Sequence, residues 1–259
     1  MYLAKSIAAS GLRHQQLRLD NIAHNVSNAN TTAFKNARLD FKDSLYTAGI
    51  TPGPPRSPEE SQQKGHGVIV TAISRDFKPG VLQRTERMFD FAIENEGFFS
   101  LSDINGDLVY TRNGSFHLSV EAAGSFLVNG EGLYVLDING ARIPIPFGTS
   151  TVNSDNDGNL YFLSSGNELL GEATLGLFTF RNLQGLEAAG YGNYAPNAAA
   201  GELLPANTAI VRQGVLEGSN ISLAEEMTRL IRTQRAFQLA SRALTTADEM
   251  QGIANNMKR

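Results

Sequence analysis

The 259-residue chain contains no cysteine. Disulfides, thiolate zinc sites, iron–sulfur clusters and cysteine nucleophiles are therefore excluded. Charge is also scarce: 19% of residues are charged, below the roughly 25% of an ordinary domain, while the 41% hydrophobic share is ordinary. A wholly disordered chain needs low hydrophobicity and high net charge, so that class is out. No apolar run reaches the roughly 18 residues of a membrane span. Lys5 is followed by mixed small and polar residues rather than an apolar stretch, so no cleaved secretory leader is expected. A net charge of −4 argues against a general nucleic-acid binder.

Proline and aromatics are missing from the ends. All nine prolines lie between Pro52 and Pro205, and 16 of the 21 Phe and Tyr residues lie between Phe77 and Tyr194. Charge is segregated too: residues 1–45 carry +3, residues 216–259 carry +1 and the stretch between them carries −8. The middle reads as a globular domain and the ends as helices attached to it.

Catalytic signatures are lacking as well. There is no P-loop, no GxGxxG after a strand, no HExxH and no G-x-S-x-G. His14, His24, His66 and His117 do not fall at metal-ligand spacing, and no metal or cofactor is expected. Residues 153–158 (NSDNDG) fit the start of a calcium loop, but Ser164 stands where an EF-hand needs a bidentate Glu, so a hairpin turn is the better reading. Glu94 and Glu96 share a face if they lie on a strand, and a solvated face is expected rather than an acid/base pair. Arg229, Arg232 and Arg235 are three apart on a helix. They are expected to meet Glu225 and Glu226 or a neighbouring subunit.

What is present is periodicity. Ala8, Leu12, Gln15, Leu19, Ile22, Val26 and Ala29 follow a 4,3 spacing, which predicts a helix of roughly 40 Å with a heptad-like seam. Asn28 to Thr32 end it, because their side chains compete for backbone hydrogen bonds. Residues 48–67 hold four prolines and read as an extended linker. Asn-Gly at 105–106, 113–114, 129–130 and 139–140, with Asp-Gly at 157–158, predicts tight hairpin turns between short strands. Residues 188–209, rich in Ala, Gly and Asn, read as a return linker. Ser222 and Glu225 form a capping box before a second helix of about 50 Å, with a stripe through Leu223, Met227, Leu230, Gln234, Phe237, Ala240 and Leu244.

The predicted fold is α+β. Long N- and C-terminal helices form a coiled-coil-like assembly domain, and a mostly antiparallel β domain is inserted between them. The segments are 1–47 (helix and turn), 48–80 (linker), 81–205 (β domain) and 206–259 (linker and helix). Neither helix can bury its stripe alone. A subunit of a helical filament or tube and a monomer whose helices pack on its own β domain fit the pattern equally.

The motifs separate these two. Residues 21–35, NIAHNVSNANTTAFK, resemble the signature of the bacterial flagellar basal-body rod and hook proteins. So do Gln213 to Ser222, Glu225 to Met227, Thr233 to Phe237 and, in the middle, Glu96 to Phe99 and Tyr110 to Phe116. The tail, Thr246 to Met250 with Ala254 to Asn256, looks most like the distal-rod branch. Ala33 stands where the family usually has Gly, and a positive φ there would strain it.

The resemblance implies a structural subunit, not an enzyme, that polymerises with itself into a hollow shaft transmitting torque from motor to hook. A proximal rod or hook-like subunit of the same family is the nearest alternative, and a β-domain wall hydrolase a more distant one. It implies other rod proteins and the hook protein as partners at the ends. It further implies export by the flagellar type III apparatus and a place outside the cytoplasmic membrane, within a bushing or the cell wall. Leu12, Leu19, Ile22, Val26, Leu223, Leu230, Phe237 and Leu244 would then carry helix packing. Asn25, Asn28, Asn30, Thr31, Thr32, Phe34 and Lys35 would form an assembly turn.

Overall fold

A computed structural model describes residues 2–43, 47–48, 63–64, 68–122 and 124–257. The chain divides into two compact units. The helical unit comprises 1–27, 37–75 and 222–259; the β unit comprises 28–36 and 76–221.

In the helical unit, α1 (Tyr2–Ser27) packs along α2 (Leu223–Asn256). The strands Ala37–Asp43 and Val68–Arg75 form an antiparallel ribbon beside α1, with a bulge between Asp40 and Phe41. Phe41 anchors the ribbon: the His14 ring meets its edge at 5.8 Å and the Arg18 guanidinium lies 4.8 Å from its centroid. Of the stretch expected as a linker, 49–62 and 65–67 lie outside the described residues, and 68–75 belongs to this ribbon.

The coiled-coil-like assembly domain is not what the chain builds. The described residues contain two α-helices, of 26 and 34 residues, and strands and turns dominate the remainder. A coiled coil needs apolar side chains sustained at its inner positions. On α2 the fully buried positions are polar, Glu226 and Thr233, while Leu223 and Met227 of the expected stripe are exposed. Burial along α2 instead follows Glu226, Leu230, Thr233, Phe237, Ala240 and Leu244. Gln15 and Gln251 bring further polar atoms, without hydrogen-bond partners, into buried positions. The expected capping box is also absent. Ser222 occupies the N-cap, but its side chain makes no capping bond, and its carbonyl takes the amide of Glu226 at 3.0 Å.

Among the described residues, every strand pairing in the β unit is antiparallel. The largest sheet runs Pro144–Ile145, Gly124–Asn129, Tyr134–Val135, Phe98–Ser102, Leu108–Thr111, Asn193–Pro196, Leu186–Gly190. Thr151–Ser154, Asn159–Leu163 and Leu169–Thr174 form a three-stranded sheet. One core gathers Phe91, Phe99, Phe116, Leu127, Phe162 and Val211; a second stacks Phe98, Tyr110, Phe180 and Tyr194 edge to face. Alternation explains the two cores: Phe98 and Phe99 are consecutive on one strand, so they point to opposite faces and enter different cores.

Four of the five turn signals sit in tight turns between paired residues, at 105–106, 129–130, 139–140 and 157–158. The pair at 113–114 does not. A Cβ on Gly114 would collide with the carbonyl of Phe91, whose amide donates to Gly114 O at 2.9 Å. This glycine permits a close backbone approach rather than a hairpin. The 188–209 stretch is likewise not a plain linker. It supplies Asn193–Pro196, hydrogen-bonded between two neighbours, and Leu203–Pro205. Its small residues read as linker, but Ala200, Ala206 and Ala209 are buried.

Candidate functional site

Two of the sequence motifs converge in the β unit. Ala33 N–H donates to Glu217 O at 2.8 Å, and Asn220 Oδ1 accepts from the amide of Asn36 at 2.8 Å. The Asn220 amide also donates to the carbonyls of Asp76, at 2.7 Å, and Lys78. The segment after α1 is thus stitched to the segment before α2 by main-chain and amide contacts.

Beneath the stitching lies a buried ion triad. Glu217 Oε1 accepts from Lys35 Nζ at 2.6 Å and from the Gly80 amide at 2.7 Å; its Oε2 accepts from Arg112 Nε at 2.7 Å. Lys35 Nζ also donates to Lys78 O at 2.7 Å. Arg112 spends three further donors on the carbonyls of Asn95, Gly97 and Ile93, at 2.8–3.0 Å. All three side chains are buried, and Arg112 and Lys35 are the largest fully buried side chains among the described residues. One carboxylate between two cations leaves a net positive charge in the interior. Desolvation dominates at Lys35: burial lowers its pKa to about 8, the repulsion of Arg112 adds to this, and the attraction of Glu217 offsets only part of it.

The other motif residues fall in different surroundings. Asn25, in the helical unit, is buried and grips both backbone groups of Ala37: its Nδ2 donates to Ala37 O at 2.9 Å and its Oδ1 accepts from Ala37 N at 3.2 Å. This fixes the start of the ribbon against α1. Asn28 accepts from the Thr31 amide and hydroxyl in a tight turn. Asn30 and Thr31 are exposed, and Thr32 and Phe34 are half-buried. Of the helix positions, Ile22 is buried; Leu12, Leu19, Val26, Leu230, Phe237 and Leu244 are half-buried; Leu223 is exposed. Arg112 and Glu217 escaped the sequence reading as site residues. A signal was available for both, since each is a charged residue inside a quoted motif, and Glu217 also lies between Leu216 and Gly218.

Ala33 adopts φ +55°, the left-handed conformation that favours glycine, and it is buried. Left-handed Ala costs about 1–2 kcal/mol. Replacement by Gly removes that strain but loses about 0.8 kcal/mol of methyl burial, and it raises unfolded-chain entropy by about 0.4–1 kcal/mol. The contributions nearly cancel. Ala33→Gly is therefore expected to change stability by less than about 1 kcal/mol, whereas Ala33→Val, β-branched at positive φ, should cost at least about 2 kcal/mol. Urea titration of both variants checks this, and a large gain for Ala33→Gly would contradict the accounting.

Potential catalytic constellations are tied up structurally. Glu94 pairs with Arg212 at 3.0 Å. Asp155 accepts from the amides of Asp157 and Asn159 and from the Asn159 side chain, at 2.8–3.0 Å, which organises the 155–158 turn and lowers its pKa. Among the described residues, no group of three potential ligands could hold a metal.

Three family models match along the chain: "Flagella basal body rod protein" over residues 6–35, "Flagellar hook protein FlgE/F/G D1 domain" over 92–162 and "Flagellar basal body rod FlgEFG protein C-terminal" over 212–257. The chain is 35% identical to the flagellar basal-body rod protein FlgG of Borreliella burgdorferi, covering 97% of each. It is 33% identical to FlgG of Bacillus subtilis, covering 96% of this chain and 97% of that one. It is 30% identical to the flagellar hook-basal body complex protein FlhP of Bacillus subtilis, covering 97% of each. The chain belongs to the flagellar basal-body rod protein family. Its role is structural, not enzymatic, and its place is the flagellar basal body, assembled with other rod and hook proteins.

Proposed function

We propose that the chain polymerises with copies of itself into the distal part of the rod, a hollow helical shaft that transmits torque from motor to hook and passes exported subunits. On this reading it leaves the cytoplasm through the flagellar type III apparatus. It works outside the cytoplasmic membrane, surrounded by a bushing or the cell wall. The observation that carries the reading is the convergence of the N- and C-terminal family motifs, 182 residues apart, on one buried triad. A helical shaft under torque needs its subunit to hold the segments leading into both terminal helices rigidly, and the stitched Lys35–Glu217–Arg112 junction supports that. The turn residues Asn28, Asn30, Thr31, Thr32 and Phe34 would contact neighbouring subunits, as would α-helical positions such as Leu12, Leu223 and Leu230. The similarity to a hook-basal body complex protein favours a second reading, a proximal or hook-like position.

The test is deletion of the coding sequence and its replacement by an epitope-tagged copy. Deletion should abolish swimming, and purified basal bodies should carry the tag on the rod half next to the hook. Label on the membrane-proximal half would favour the second reading. A motile deletion strain with complete basal bodies would overturn both.

A further inference from the structure

The helical unit contains an open cleft of about 290 Å³ between α1, the start of the 37–43 strand and the first turns of α2. Its floor includes Ile22, Asn25 and Glu226, all buried. Glu226 Oε1 accepts from Arg229 Nη1 at 2.6 Å, but its Oε2 is buried with no hydrogen-bond partner. The rim carries Arg18, Arg38 and Arg232 beside Arg229. Arg38 and Arg232 have no ion pair among the described residues. The cleft therefore presents unpaired guanidinium groups around one buried, unsatisfied acceptor. A buried acceptor left unpaired is unfavourable, and desolvated guanidinium groups bind carboxylates in fork geometry. What completes it is a segment that brings carboxylates to the rim and one N–H or O–H donor to the floor.

We propose that this cleft receives an acidic surface of the β unit of a second copy of the chain. The inference rests on the rod-subunit reading and names one contact through which copies meet. Charge complementarity identifies the occupant. The helical unit holds 14 basic and 9 acidic residues, whereas the β unit holds 8 basic and 17 acidic ones. A contact between a basic face and an acidic face of the same chain is heterologous, the kind that propagates as a helical assembly when the rotation between copies does not close a ring. Complementary faces also steer the encounter and reject wrong registers.

The test compares tagged wild type, Arg38→Glu/Arg232→Glu and Arg38→Lys/Arg232→Lys for recovery in purified basal bodies. Charge reversal should lower incorporation by about ten-fold or more, and the lysine pair, which keeps the charge but loses the guanidinium fork, should fall between it and wild type. Because the chain has no cysteine, Arg38→Cys labelled with a benzophenone maleimide supplies a unique photocrosslinking site if the reversed variant misfolds. Crosslinks to residues 76–221 of another copy support the contact. Crosslinks only to helical segments, to other proteins or to lipid overturn it, as does wild-type incorporation of the charge-reversed pair. Failure of the wild-type chain to enter basal bodies would instead sink the rod-subunit reading, and this contact with it.

Discussion

Glu217→Gln is expected to destabilise the β unit by about 3–5 kcal/mol, the usual cost of removing one partner from a buried ion pair. The substitution is nearly isosteric, so packing is not the cause. It leaves the ammonium of Lys35 and the guanidinium of Arg112 buried together without a counter-charge, and it turns an amide donor toward groups that only donate. Urea unfolding followed by tyrosine fluorescence reads the effect, since Tyr110, Tyr134 and Tyr194 are buried in this unit. A loss below about 1 kcal/mol would show that the triad is solvated in solution.

Lys35→Met should be milder, because Arg112 still neutralises Glu217 and the pKa of Lys35 shows its charge to be poorly tolerated. The pH dependence has a definite sign. A lysine that titrates at about 8 in the folded chain and at 10.5 when unfolded loses its proton first on folding. Between those values the unfolded chain binds more protons, so stability from this group rises with pH, at no more than about 1.4 kcal/mol per pH unit. Wild type should show that rise relative to Lys35→Met between pH 8 and 10. Parallel curves would contradict the buried position of the ammonium.

Asn25→Ala should cost the helical unit about 2–4 kcal/mol. One side chain satisfies both the N–H and the C=O of Ala37, a buried residue, and alanine leaves both unpaired, at about 1–3 kcal/mol each. Hydrogen exchange at Ala37 and its ribbon neighbours should accelerate, while amides of the β unit stay protected. Unchanged exchange at Ala37 would show that water replaces Asn25 without loss. Because the ribbon starts at this grip, basal-body incorporation should fall together with the exchange protection.

How much of this was legible in the sequence varies with the range of the interaction. The turns at 105–106, 139–140 and 157–158 follow from a local rule, the need for a positive φ, and Gly106, Gly140 and Gly158 adopt it. The same dipeptide at 113–114 answers to a carbonyl on a distant segment, which no local rule reveals. The α2 stripe shows the same boundary. Spacing marks apolar residues, but which side is buried depends on what packs against it. Here Glu226 and Thr233 are buried in place of the adjacent Met227 and Gln234, which the expected stripe had turned inward.

The sequence by itself determined the absence of thiol chemistry, the segregation of charge and aromatics, two terminal helices around β material and, through its motifs, the family. These depend on composition and on residues close together in the chain. Tertiary structure alone decided that Lys35, Arg112 and Glu217 form one buried triad, that Asn25 clasps Ala37 and that arginines from α1, a strand and α2 rim one cleft. Each is a meeting of residues far apart in sequence. Its energy comes from removing charges and amides from water, and burial is a property of the folded chain, not of any segment of it.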